Sequence, residues 1–166
     1  MIELSVIRDL VAISGVLIAL TYYIMNIRHQ RETRQTQLFM NLYDTYHSPD
    51  FRRKWHDLLK REWTDNEDWQ RKYGQDSEDL AAHTSMLSFF NGIGVLLKRG
   101  LIDIKLVDDL LGVNIRGYWK FVESNVRWSR EVIDEPKMYA DFEYLFNEVM
   151  KINDRTPDFE KLQYKN

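Results

Sequence analysis

The sequence predicts an all-α protein, with an N-terminal transmembrane helix that continues into a polar helical stalk and a cytoplasmic multi-helix bundle. One observation is a run of 18 residues without a charged side chain, Leu10 to Ile27, in a chain whose mean hydropathy is -0.49. The other is that apolar residues in the remaining chain recur every three or four positions, between helix start and stop signals. No segment shows the sustained alternation of polar and apolar residues that a half-buried strand has.

Residues 1–27 form the predicted transmembrane anchor. Eighteen helical residues extend about 27 Å, which is close to the thickness of a bilayer's hydrocarbon core. A cleaved signal peptide is disfavoured, because such peptides begin with basic residues and this chain has Glu3 and Asp9 beside Arg8. A buried core helix is the other alternative, but a core helix rarely runs for five turns without a charge.

The charges on either side of the anchor predict its orientation. Three arginines follow the apolar run, whereas only Arg8 precedes it. Since Lys and Arg favour the cytoplasmic side, we expect the N-terminus outside the cell membrane and the body in the cytoplasm. The predicted membrane-interface residues are Tyr22, Tyr23, Arg28, Arg31 and Arg34. The arginines either control topology alone or also bind anionic lipid phosphates.

Residues 28–37 form the predicted stalk, which contains no apolar side chain and no Gly or Pro that would end a helix. Within the anchor, Ala12, Gly15 and Ala19 lie on one side of the helix. Small residues let two transmembrane helices approach closely, so self-association through this face is one hypothesis. The expected partners are therefore the lipid bilayer and either a second copy of the chain or another membrane protein.

Residues 38–155 form the predicted helical bundle of about six helices, and a polar tail, 156–166, follows it. Ser48 and Pro49 are typical of an N-cap and a first helical residue. Gly100 is typical of a helix end.

Three other glycines carry predictions about the bundle. Gly92 and Gly94 lie within one long predicted helix, where the missing side chains favour close approach of a partner helix or an aromatic ring. Gly112 is expected to end a short helix that Asp103 begins, with Asn114 opening the next one.

Two pairs of side chains have spacings suited to a shared metal site. Asp44 and His47 are three residues apart, and Asp79 and His83 are four apart, so each pair shares a helix face. Di-metal helical bundles repeat a Glu-x-x-His pattern, which this chain lacks. His83 also lies among apolar residues, a position more typical of a hydrogen-bonded core histidine. We predict neither a bound metal nor a cofactor, and no catalytic residue stands out.

A structural ion pair is predicted between the last two main helices. Arg127 and Arg130 follow Trp119 on one helix, and Glu143 lies on the next. A guanidinium and a carboxylate match in geometry, so such a pair fixes the register of two helices. A small anion-binding pocket built on the same arginines is the alternative.

Composition excludes several classes of function. The net charge of -3 lacks the basic excess that non-specific nucleic-acid binding requires, so no nucleic-acid partner is expected. The chain has no cysteine, which excludes disulfides, thiolate nucleophiles and cysteine-based zinc sites. The glycines of GIGVLLKRG fit neither phosphate-binding loop pattern.

The segments FFNGIGVLLKRGLID, GYWKFVESNVRWSR and YADFEYL, behind a single span and an arginine-rich exit, resemble a known family. It is an uncharacterised prokaryotic family of single-span, membrane-anchored helical proteins, catalogued as a domain of unknown function. The resemblance covers nearly the whole chain. It implies a helical body behind one span and supplies no catalytic residues.

These observations favour a non-enzymatic, membrane-anchored interaction, scaffold or accessory-subunit module. The alternative is an anchored sensor or enzyme that binds a small ligand or metal in a pocket between helices, near Asp44, His47 and His83. A regulatory subunit of a channel or transporter is a third possibility.

Overall fold

The computed structural model describes residues 4–75 and 77–152, which contain six α-helices and no strand. The all-α prediction is therefore confirmed, whereas the predicted tail lies outside the described residues. The helices are α1 (Leu4–His47), α2 (Pro49–Leu59), α3 (Asn66–Lys72), α4 (Ser77–Lys98), α5 (Ile104–Ile133) and α6 (Ala140–Ile152).

The helix α1 runs unbroken for 44 residues, through the predicted anchor and stalk into the first part of the body. It contains no proline, and after Gly15 it contains no glycine either. It ends where Ser48 takes the N-cap position of α2 and accepts a hydrogen bond from the Phe51 backbone nitrogen at 3.3 Å. Pro49 then occupies the first turn of α2, as predicted.

Three long helices, α1, α4 and α5, alternate in direction. Gln35 of α1 contacts Gly100, and Tyr46 lies beside Phe89, so α4 runs antiparallel to α1. Phe90 of α4 lies beside Tyr118 of α5, and the earlier residue His83 lies beside the later residue Asn125, so α5 runs antiparallel to α4. As a result, the turn between α4 and α5 lies at the end of the body nearest the anchor.

Aromatic rings fill much of the core. Phe90 lies at its centre, within 6 Å of the ring centroids of Trp55, Tyr118 and Phe142. The helix α6 packs against α4 at Gly94. A Cβ atom at this position would overlap the Asp141 backbone, so only glycine allows this close approach. The predicted close approach at Gly94 is thus confirmed. At Gly92 it is wrong, since nothing lies within 4 Å of a Cβ there.

The predicted helix break at Gly112 is also wrong. Asp103 caps the start of α5 as expected, but α5 then continues through Gly112 to Ile133. Asp108 and Arg116 form an ion pair of 2.8 Å across Gly112, and a Cβ there would collide with the Asp108 carboxylate. The glycine therefore makes room for a mostly buried ion pair rather than ending a helix.

Candidate functional site

The apolar part of α1 stands clear of the body. Its large side chains from Leu10 to Ile27 are exposed, and none of its apolar window is buried. Ser14 and Thr21 donate their hydroxyl hydrogens to the carbonyl groups of Leu10 and Leu17, each at 2.8 Å. Both hydroxyls are thus satisfied within the helix, which lowers the cost of placing them in an apolar medium.

The predicted membrane-interface residues all lie on the exposed surface of α1. Tyr22 and Tyr23 are 72% and 61% exposed. Arg28, Arg31 and Arg34 are exposed along the following three turns. Ala12, Gly15 and Ala19 are exposed as well, and a Cβ on Gly15 would meet no atom within 4 Å. This part of the helix is open to lipid or to another helix.

The stalk joins the body at the end of α4. Gly100 has a φ of 65°, and the backbone nitrogens of Gly100 and Leu101 bond to the carbonyls of Leu97 and Leu96. This is a Schellman motif, in which glycine avoids the strain of the left-handed conformation. The Gln35 amide donates to the Gly100 carbonyl at 2.8 Å, and Arg31 Nη2 lies 3.6 Å from where a Gly100 Cβ would be.

A polar cleft lies at the opposite end of the body, between α2 and α4. Its volume is about 260 Å³, and Arg61 and Asp79 form an ion pair at its edge. The Arg61 guanidinium also lies over the Tyr73 ring, 5.1 Å from its centroid. The other charged residues that line the cleft are Lys54, Asp57 and Glu78.

His83 lies in the core close to the α3–α5 contact. Its Nε2 donates to the Asn125 side-chain oxygen at 3.1 Å, and its ring lies 4.9 Å from that of Trp69. Burial is the main cause that lowers the His83 pKa to about 4, so the ring is neutral at pH 7. It has the hydrogen-bonded core position that the sequence favoured.

The two pairs of candidate metal ligands have different surroundings and different hydrogen-bond or ion-pair partners. His47 Nδ1 bonds to the Tyr43 carbonyl at 3.0 Å, and Asp44 is exposed on the same last turns of α1. Asp79 and His83 instead have Arg61 and Asn125 as partners. Among residues 4–75 and 77–152, no three His, Asp or Glu side chains are grouped as metal ligands would be.

The structure brings Arg127, Arg130 and Glu143 together between α5 and α6. Arg130 Nη1 lies 2.7 Å from Glu143 Oε2, and its Nε donates to the Met138 carbonyl at 2.9 Å. Arg127 lies 3.4 Å from the other carboxylate oxygen and 2.8 Å from Glu123. The hydrogen bond and charge of Glu123, with a smaller effect of the Glu143 charge, raise the Arg127 pKa. This geometry links the C-terminal half of α5 to α6.

Three other polar contacts were not foreseen. Two of them, the Arg61–Asp79 ion pair and the His83–Asn125 hydrogen bond, join residues far apart in sequence, so no local spacing predicts them. Asp108 and Arg116 are eight residues apart on one helix, a spacing that places them near the same face.

Comparison with known proteins adds one finding to this geometry. Residues 10–149 match the family described as a domain of unknown function, DUF4760. The chain belongs to the DUF4760 family. The match begins in the apolar run and ends in α6, so the DUF4760 domain includes both most of the apolar part of α1 and the helical body. No curated protein and no solved structure matches the chain.

Proposed function

We propose that the protein is a single-pass, membrane-anchored helical module that holds its body at the cytoplasmic face and acts by contact with other proteins. One observation carries this proposal. The same helix, α1, exposes an apolar run at one end and at the other end contributes Phe39 and Tyr46, 0% and 1% exposed, to the core.

The anchor part of the proposal rests on the cost of leaving α1 in water. Moving a large aliphatic side chain out of water contributes about 1.5–3 kcal/mol, and the body covers none of those between Leu10 and Ile27. A lipid bilayer covers them all at once. Tyr22 and Tyr23 then lie near the interface, and the three arginines of the stalk favour the N-terminus outside.

The interaction part rests on how firmly α1 joins the body. The body has its own aromatic core, and Gln35 ties the stalk to Gly100. An unbroken helix between lipid and core holds the body at a fixed height and in a fixed orientation, which suits a module that meets a second membrane-associated protein.

Binding of a small ligand is the second candidate function. The polar cleft beside Arg61 favours it, at a different place from the pocket predicted near Asp44, His47 and His83. Lys54 and Arg61 offer cationic groups there, beside three carboxylates. A ligand-dependent rise in melting temperature that Lys54→Gln removes would support this candidate.

The anchor is tested by expressing the full chain and extracting the membranes at alkaline pH. We expect the protein in the pellet. Because the chain has no cysteine, single cysteines at Leu4 and Val132 report topology through a membrane-impermeant maleimide. Labelling of Val132→Cys in intact cells, or protein in the supernatant, would contradict the proposal.

The interaction is tested by crosslinking the full chain in native membranes and identifying partners by mass spectrometry after affinity capture. A defined protein partner, or a second copy of the chain, is expected. A chain that remains monomeric and free of crosslinked proteins would remove this part of the proposal and leave the anchor intact.

A further inference from the structure

The α4–α5 turn, residues 99–103, lies at the end of the body nearest the proposed bilayer. Arg31 Nη2 lies 3.6 Å from where a Gly100 Cβ would be, and the Gln35 amide donates to the Gly100 carbonyl at 2.8 Å. At 1.5 Å per residue Arg31 and Gln35 lie about 6 and 12 Å beyond Ile27, the last residue of the apolar run. The headgroup region of one leaflet is roughly 5–8 Å thick, so the turn lies at its edge.

The stalk and the α4–α5 turn, which meet at this end, are both basic segments. The segments 28–35 and 99–105 contain five basic and two acidic residues, a net charge of +3, whereas the whole chain has -3. The remaining residues therefore carry -6. Charge of one sign is thus concentrated where the proposed membrane begins.

Four arginines at this end have no described carboxylate within ion-pair distance: Arg28, Arg31, Arg34 and Arg99. Their neighbour Lys98 differs, since it pairs with Asp141 at 2.9 Å and lies over the Tyr144 ring. Arg99 and Leu101 are exposed on the turn, with Leu101 at 44%. The turn thus offers an unpaired cation and an apolar side chain side by side.

We propose that the stalk arginines and the α4–α5 turn form one surface that binds the anionic phospholipid headgroups of the bilayer. This inference rests on the proposed anchor and adds a second point of contact between membrane and body. The Gln35–Gly100 hydrogen bond and the Schellman turn hold Arg99 beside the stalk, so its charge adds to those of Arg28, Arg31 and Arg34. Anionic headgroups complement this surface, whereas zwitterionic headgroups do so much less.

The test uses the full chain in vesicles of phosphatidylcholine, with or without phosphatidylglycerol. A single cysteine at Leu101 carries an environment-sensitive fluorophore, and lipids with a spin label on the headgroup quench it. Val132→Cys is the matched control. It is 62% exposed and about 42 Å further along α5 than Ile104, at the end of the body away from the anchor.

We expect strong quenching at Leu101 in the anionic vesicles, weaker quenching in the zwitterionic ones, and none at Val132 in either. High salt should reduce the quenching at Leu101. Arg99→Gln should weaken the docking of the turn about five-fold, which corresponds to the roughly 1 kcal/mol that one charge contributes near an anionic surface. Lys120→Gln, an exposed basic residue further along α5, should leave it unchanged.

The outcomes separate this inference from the anchor itself. Protein that does not sediment with either kind of vesicle overturns the anchor. Protein that is integrated but gives equal quenching at Leu101 in both lipids, or none, overturns the proposed anionic surface while the anchor stands.

Discussion

Within residues 4–75 and 77–152, two helices, α1 and α4, are long and apolar enough to cross a membrane, yet they differ in what surrounds them. The apolar window of α4 is 33% buried, and its inward side chains contact α2, α5 and α6. That of α1 is not buried at all. Apolar composition alone therefore does not identify a span, and the surface that neighbouring helices leave uncovered is what distinguishes the two.

The largest difference should be seen when an apolar side chain is truncated in each helix. Phe90→Ala in α4 should lower the free energy of unfolding by about 3–5 kcal/mol, because Phe90 is 0% exposed at the centre of the core. Leu17→Ala in α1 should leave it unchanged. All five tryptophans lie in the body, so denaturant unfolding of the full chain in micelles can be followed by fluorescence. Equal losses would erase the distinction between the two helices.

A charge placed in the exposed apolar part of α1 should reduce membrane insertion and leave the fold of the body unchanged. Leu17→Arg should disfavour insertion by about 3 kcal/mol, the usual cost of an arginine at the centre of a span. Gln30→Arg, in the polar stalk, is the control and should have no effect. Alkaline extraction of membranes measures the inserted fraction. Normal insertion of Leu17→Arg would show that the segment is not surrounded by lipid.

Glycine substitutions should separate close-packed from open positions. Gly94→Ala should cost about 1–3 kcal/mol, because the new methyl group collides with the Asp141 backbone. Gly92→Ala, on the same helix, should instead stabilise by up to about 1 kcal/mol through helix propensity. Thermal unfolding of the two variants in micelles compares them directly. A stabilised Gly94→Ala would contradict the described packing of α6 on α4.

The smallest expected effect is a dependence of body stability on pH. The His83 pKa is lowered to about 4 in the folded chain, below the 6.5 of the unfolded one. The unfolded state therefore binds the proton first, and stability falls as pH decreases from 6.5 toward 4. Between pH 7 and pH 6 the loss should be about 0.7 kcal/mol.

His83→Gln should remove this loss, whereas His56→Gln, on an exposed face of α2, should retain it. Denaturant unfolding at the two pH values measures the difference. An unchanged pH dependence in His83→Gln would mean that other groups are responsible.

Much of the fold could be predicted because its signals are local. Ser48 and Pro49 at the start of α2, Asp103 before α5 and Gly100 after α4 act on backbone groups within a few residues. The predicted helix end at Gly112 was wrong because this glycine makes room for the side chains of Asp108 and Arg116, one turn before and one turn after it.

The polar contacts of the body were harder to predict. The ion pair between Arg130 and Glu143 is predictable from the sequence because both residues lie on consecutive helices among apolar residues. Arg61–Asp79 and His83–Asn125 depend on how α2, α4 and α5 align in space, which no short sequence spacing encodes. The contact between Gln35 and Gly100 has the same origin, since 65 residues separate the two.

The absence of any proline, or of a glycine after Gly15, along α1 has a consequence for the intact membrane. A bilayer thinner than the hydrophobic length of a helix makes that helix lean. Because α1 has no hinge, a tilt of its apolar part also tilts the body at its other end. With the proposed anchor in place, local lipid thickness would then set the angle at which the body stands to the bilayer.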